Sequence, residues 1–64
     1  MQVGKFKPYR NIIGSIEVND DGEYYGRLLD INGFVNYHSD SLKQLEEEFH
    51  KAVDDYLDML DKHM

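Results

Sequence analysis

Four acidic side chains, Glu47, Asp54, Asp58 and Asp61, recur at steps of seven, four and three residues. At about 100° per residue on a helix they fall within about 60° of one another, one carboxylate stripe. Such a stripe serves either as a solvated face that keeps a small protein dispersed, or as a landing surface for the lysines and arginines of a basic partner. The histidines, His38, His50 and His63, have no i,i+4 spacing on one face, and the chain has no cysteine, so no metal centre or cofactor is expected. The five tyrosines could in principle stack on bases. Tyr24, Tyr37 and Tyr56, however, fall on the positions assigned below to the core. No set of residues reads as catalytic, which points to binding.

Sixty-four residues make one domain, and a chain of this size buries only about 60% of the surface its unfolded form exposes. Without disulfides or a structural metal, self-association is the remaining common source of stability, so a homodimer or higher oligomer is expected. Thirteen acidic against seven basic side chains give a net charge of −6. That balance repels phosphate backbones, which excludes nucleic acid as the expected partner, and steers a basic protein toward the surface. The N-terminal Met1–Arg10 stretch has cations but no apolar run behind them, so neither a signal peptide nor a membrane anchor is expected and the cytoplasm is the expected location.

The elements that must position these residues follow from periodicity. Residues 1–9 hold Gly4 and the sole proline, Pro8, and read as an irregular or edge-strand lead-in. Residues 10–18 alternate at Ile12, Ile16 and Val18 and read as a first strand. Asn19-Asp20-Asp21-Gly22-Glu23 suits a three-residue hairpin loop closed by a left-handed glycine, with Asn19 opposite Glu23. A second strand is expected over 23–30, a type I′ turn at Asn32-Gly33, and a third strand over 34–38. From Leu42 the period changes: Leu42, Leu45, Phe49, Ala52, Val53, Tyr56, Leu57 and Leu60 form one helical stripe over about 42–62. Ser41 with Gln44 fits a capping box, Asp40 adds negative charge at the start, and Lys62 and His63 add cations at the end. The expected fold is α+β: a β-β-β-α unit, a three-stranded antiparallel meander covered by one C-terminal helix.

The registers of the two hairpins pair Val18 with Tyr24, Ile16 with Gly26 and Leu28 with Tyr37. One face then holds Ile12, Ile16, Val18, Tyr24, Leu28, Val35 and Tyr37, with Gly14 and Gly26 between them. It is assigned to the helix, which the two glycines would let approach closely. The opposite face carries Ile13, Tyr25, Leu29, Ile31 and Phe34 beside Ser15, Glu17, Arg27 and Asn36. That is too apolar for a solvated sheet face and has the aromatic and arginine content of a protein-binding surface. Tyr25 and Arg27 combine area with charge and are the leading contact residues. A homo-oligomer contact would explain the same composition.

Laid out in this way, Ile13-Gly14-Ser15-Ile16-Glu17, Tyr24-Tyr25-Gly26-Arg27, Asp30-Ile31-Asn32 and Ser39-Asp40-Ser41-Leu42 resemble the HicB antitoxin family. The most specific piece is Phe49-His50-Lys51-Ala52-Val53-Asp54-Asp55-Tyr56-Leu57, and the resemblance spans residues 11–60. It implies a truncated ribonuclease-H-like fold whose sheet and helix bind and block HicA, a small basic toxin that cleaves messenger RNA. A toxin-less domain of the same fold, acting as a dimerisation or interaction module, shares almost every one of these features. The family places a further strand and a DNA-binding segment after the helix; this sequence carries neither pattern, so DNA binding is not carried over. In the ribonuclease-H arrangement the further strand would flank the first strand, so that edge is expected either to pair with a second subunit or to be covered by residues 2–7. A nuclease of that fold would need clustered carboxylates for two metal ions. Glu17, Asp30 and Glu48 are the candidates, but Glu17 and Asp30 are expected on opposite sheet faces, so no catalysis is expected.

Overall fold

A computed structural model describes residues 2–62, with side chains described for residues 3–61. Strands β1 (Gln2–Lys5), β2 (Ser15–Val18), β3 (Tyr24–Arg27) and β4 (Asn36–Ser39) precede helix α1 (Leu42–Lys62). The strands form a single antiparallel sheet in the order β1-β2-β3-β4, and α1 covers one face. The α+β class and the terminal helix are as expected. The strand count is corrected from three to four, because the lead-in contributes β1.

The correction has a local cause at residues 9–12. Arg10 and Asn11 both take positive φ, 52° and 69°. Tyr9 and Ile12 exchange backbone hydrogen bonds, Tyr9 N to Ile12 O at 2.9 Å and Ile12 N to Tyr9 O at 3.0 Å. This is a two-residue hairpin turn of the type whose twist suits a right-handed strand pair. It folds the lead-in back onto β2, pairing Gly4 with Ile16 and Lys5 with Ser15. The strand expected over 10–18 therefore shortens to β2, and its edge is covered by residues 2–5 instead of by a second subunit.

The next hairpin matches its expectation. Asn19 N donates to Glu23 O at 3.0 Å and Gly22, at φ 82°, closes the loop. The Asn19 side-chain oxygen accepts from the N–H groups of Asp21 and Glu23, both at 3.0 Å. Val18 pairs with Tyr24 as the loop length requires.

The third hairpin differs. Leu28 lies against Val35, N to O 3.0 Å, and Gly26 against Tyr37, so the register has slid by two residues from the expected pairing of Leu28 with Tyr37. Asp30, at φ 58°, ends the extended chain early, and of Asn32 and Gly33 only the glycine has positive φ, 141°. The connection is thus a wider loop and not a type I′ turn, and β3 and β4 are shorter than the 23–30 and 34–38 expected. A slide of two keeps every side chain on its face, because the pleat repeats every two residues.

Helix α1 starts as read. Gln44 N donates to the Ser41 hydroxyl at 3.2 Å, a side-chain cap on a free helical N–H. The reciprocal half of the box is rerouted: Gln44 Oε1 accepts from the Ser39 hydroxyl at 3.2 Å. Lys62's side chain and His63 lie outside the described residues. Leu45, Phe49, Val53 and Tyr56 are buried against Ile12, Leu28 and Tyr37, with Phe6, Tyr9, Ile16, Tyr24 and Val35 at the margin. The Phe6 and Phe49 rings stack at 5.2 Å. Leu42 and Leu60, the two ends of the stripe, are exposed. A helix of 21 residues is about 31 Å long at 1.5 Å per residue, longer than the four-residue strands it crosses.

Gly14 does what the close-approach argument asked of it: a Cβ there would lie 2.6 Å from the Phe49 ring and against the Tyr37 hydroxyl. Gly26 serves a different neighbour. A Cβ there would meet the Ser15 carbonyl and sit 2.8 Å from the Tyr37 ring, so its role is within the sheet and not toward the helix.

Candidate protein-binding face

Alternation along β2, β3 and β4 assembles the face away from α1 in cross-strand rows. Glu17, Tyr25 and His38 form one row, since Glu17 pairs with Tyr25 and Tyr25 with His38. Arg27 and Asn36 form the next. Leu29, whose N–H donates to Ile13 O at 2.8 Å, brings Leu29 and Ile13 together beyond it, with Phe34 at the end of the loop. A shallow cleft of about 480 Å³ on this face is bordered by Glu17, Tyr25, Arg27, Phe34, Asn36 and His38. Ile13, Tyr25 and Leu29 are half-buried, Arg27 is exposed, and Phe34 is 78% exposed.

Two assignments to this face are corrected. Ile31 packs against the core cluster, because the widened 29–34 loop turns its side chain back under the sheet. Ser15 is not a rim residue but is 3% exposed. Its hydroxyl accepts the Arg27 N–H at 3.0 Å and donates to Glu17 Oε2 at 3.3 Å, while its carbonyl accepts the Tyr37 hydroxyl at 2.7 Å. His38, weighed above only as a metal ligand, is placed on the face beside Tyr25 by alternation from inward-facing Tyr37.

The acidic stripe is only partly a free surface. Asp54 accepts from Arg10 Nη1 at 2.9 Å and from the Tyr9 hydroxyl at 3.2 Å, which ties the tip of the first hairpin to the helix. Arg10, Asp54, Leu57, Asp58 and Asp61 border one cleft of about 450 Å³. Glu47 is exposed but does not border it. The Tyr9 phenol stacks on His50 at 4.1 Å, and its pKa is raised by desolvation, then by its hydrogen bond to Asp54 and that carboxylate's charge. Burial first, and then the Glu17 charge, raise the pKa of Tyr37 as well.

Glu17 lies on the sheet face, Asp30 in the β3–β4 loop and Glu48 on α1. Among the described residues no group of three or more His, Asp or Glu side chains is placed to hold a metal ion. No described helix is long and apolar enough to cross a membrane.

No protein-family model matches the chain, and no curated protein or solved structure matches it.

Proposed function

We propose that this chain is an antitoxin-like binding domain of the HicB kind, with a truncated ribonuclease-H-like fold. It neutralises a small, basic, HicA-like mRNA-cleaving toxin in the cytoplasm by direct contact and without chemistry of its own. The observation that carries the reading is Phe34, 78% exposed at the edge of a sheet face that also holds Tyr25, Arg27 and Leu29. A large aromatic left in water beside a second aromatic and an arginine is the composition of a binding hot spot, and water alone gives no reason for it. The net charge of −6 complements a basic toxin and would speed its capture.

Co-expression with a HicA-like toxin tests this. The wild-type chain restores growth and co-purifies with the toxin, whereas Phe34→Asp and Arg27→Glu do neither while keeping the wild-type circular dichroism spectrum. Failure of the wild-type chain to bind or rescue any such toxin sinks the reading.

A further inference from the structure

Between β1 and the start of α1 lies a shallow cleft of about 570 Å³, bordered by Lys5 and Lys7 from the first hairpin and by Lys43 from the helix. Phe6, Ile16 and Leu42 supply its apolar surface. Three of the seven basic side chains of an acidic chain therefore meet at one place. Among the described residues the ion pairs take Arg10 with Asp54 and Lys51 with Glu48, and none takes these three lysines. All three are exposed, as is Leu42 at 47%.

Protection of an edge strand accounts for Lys5 and Lys7, since β1 ends the sheet and charge there deters strand pairing. It does not account for Lys43 or Leu42, which stand on another element. Helix α1 carries acids through most of its length, yet its first turn holds a lysine and no acidic residue. A carboxylate that would offset the positive end of the helix is thus missing from that turn, and Asp40 ahead of it does not border the cleft. The three lysines and the helix end add their fields over one apolar floor.

We propose that this cleft takes a short acidic peptide segment of a partner protein, in which carboxylates flank one or two large apolar side chains. The apolar part lies on Ile16 and Leu42, and the carboxylates reach Lys5 and Lys7 on one side and Lys43 on the other. A short segment is selected because the cationic area is short. Glu46 borders the cleft, and Glu47 and Glu48 follow it on α1, so a longer polyanion would run onto like charge. That argues against a nucleic acid, as does Phe6, whose half-buried ring is already stacked on Phe49 at 5.2 Å and is no open platform for a base. The net charge of −6 argues against an anionic membrane surface, which repels it. The cleft shares no residue with the one on the outer sheet face, so this inference does not depend on the toxin reading.

Titration of the full chain with a blocked hexapeptide, four aspartates around a central leucine-phenylalanine pair, tests it, with amide shifts read residue by residue by NMR. Saturable shifts are expected at residues 5–7, 16 and 42–46, with a Kd at or below about 1 mM that rises with added salt. Lys7→Glu and Lys43→Glu each weaken binding at least about tenfold. Lys43→Glu places an acid in the first helical turn, where it favours the helix, so its loss of binding is not a loss of fold. Lys51→Glu makes the same change of net charge about 12 Å further along α1 at 1.5 Å per residue, and leaves affinity within about twofold because salt screens that distance. Asparagines in place of the aspartates, or glycines in place of the central pair, remove saturable binding. The proposal is overturned by an absence of saturable shifts at these residues up to about 5 mM peptide, or by a Lys43→Glu variant that binds as tightly as the wild type. It is overturned equally if Lys51→Glu weakens binding as much as Lys43→Glu does, or if a short single-stranded RNA or dodecanoate binds these residues more tightly than the peptide.

Discussion

The Tyr37 hydroxyl, reaching in from β4, takes the carbonyl of Ser15 on β2 at 2.7 Å, and the Ser15 hydroxyl replaces that carbonyl as the acceptor for Arg27 N at 3.0 Å. A regular ladder would give the Ser15 carbonyl to Arg27, because the pairs on either side, Ile13 with Leu29 and Asn19 with Glu23, are hydrogen-bonded in that phase. The sheet thus exchanges one backbone bond for two bonds that run through side chains. Tyr37→Phe orphans a buried carbonyl and Ser15→Ala orphans an N–H, each at a cost of about 1–3 kcal/mol. In the double variant the two orphans can pair with each other as an ordinary ladder bond. The combined loss, read by urea unfolding, is therefore expected to fall short of the sum by at least about 0.5 kcal/mol. Strict additivity would show that the two bonds are independent.

The same hydroxyl makes the fold sensitive to alkali. The Tyr37 pKa is raised in the folded chain above the ordinary 10.0, by burial first and Glu17 second. A group raised on folding stabilises fully below its unfolded value, and that contribution is lost as pH climbs toward the folded value. Stability should therefore hold steady below pH 10 and fall above it, by up to about 1.4 kcal/mol per pH unit for one proton. Tyr9, raised in the same direction, adds to the fall. Tyr37→Phe should flatten the slope by its own share; an unchanged slope would assign the alkaline loss elsewhere.

Gly14 and Gly26 form the notch that admits the Tyr37 ring and hydroxyl. Alanine at position 26 would press on a backbone carbonyl, which cannot move without carrying β2 with it. At position 14 it would press on the Tyr37 hydroxyl and, at 2.6 Å, on the Phe49 ring, both held by packing. Each substitution is expected to cost about 1–3 kcal/mol as overpacking. Gly14→Ala in a Tyr37→Phe background should cost less than in the wild type, because one of its two clashes is gone. Thermal unfolding of the four variants checks this.

The first hairpin offers a cleaner test of backbone strain. Asn11, at φ 69°, occupies a region that asparagine tolerates and β-branched residues avoid. Asn11→Val should cost about 1–2 kcal/mol, whereas Asn11→Gly should leave stability within about 1 kcal/mol of the wild type or slightly above it. The Arg10–Asp54 ion pair beside it is half exposed, with side chains 53% and 49% accessible. Arg10→Ala is accordingly expected to cost no more than about 1 kcal/mol, a difference that shrinks at high salt. Chemical denaturation at two ionic strengths separates the two effects.

What the sequence made readable, and what it hid, divides along these bonds. The helix and its cap were legible because Leu45, Phe49, Val53 and Tyr56 keep a single period and Ser41 stands at its head. The inner sheet face was legible even though the third hairpin's register was misread by two residues, since a slide of two leaves inside and outside unchanged. The left-handed turn at Arg10-Asn11 was hidden, as neither residue announces positive φ the way glycine does, so the lead-in stayed open between an irregular segment and an edge strand covering β2, and the structure shows the second. Ile31 was hidden because Asp30, also at positive φ, ends the alternation just before it. Ser15 was hidden because nothing in its type distinguishes a rim hydroxyl from one that stands in for a carbonyl. The outer face could be drawn by alternation alone, but the pairing of Asp54 with Arg10 needs a contact 44 residues apart.

Phe34 is where stability and binding can be told apart. Its ring is 78% exposed and is not part of the core cluster, so Phe34→Ser should change the unfolding midpoint little, within about 0.5 kcal/mol, as surface substitutions do. A side chain that anchors a partner loses about 2 kcal/mol or more of binding on truncation, about thirtyfold in Kd. Arg27→Ala should behave in the same way, with stability preserved through its backbone bond to Ser15, which the substitution leaves intact. Glu47→Gln, an exposed acid away from the Arg10–Asp54 cleft, should alter only the association rate, and only at low salt. Calorimetric titration of a HicA-like toxin against the three variants, each checked by its own urea curve, gives both quantities. A Phe34→Ser variant that binds as tightly as the wild type would remove the outer sheet face from the interface and leave the helix surface around Asp58 and Asp61 to carry it.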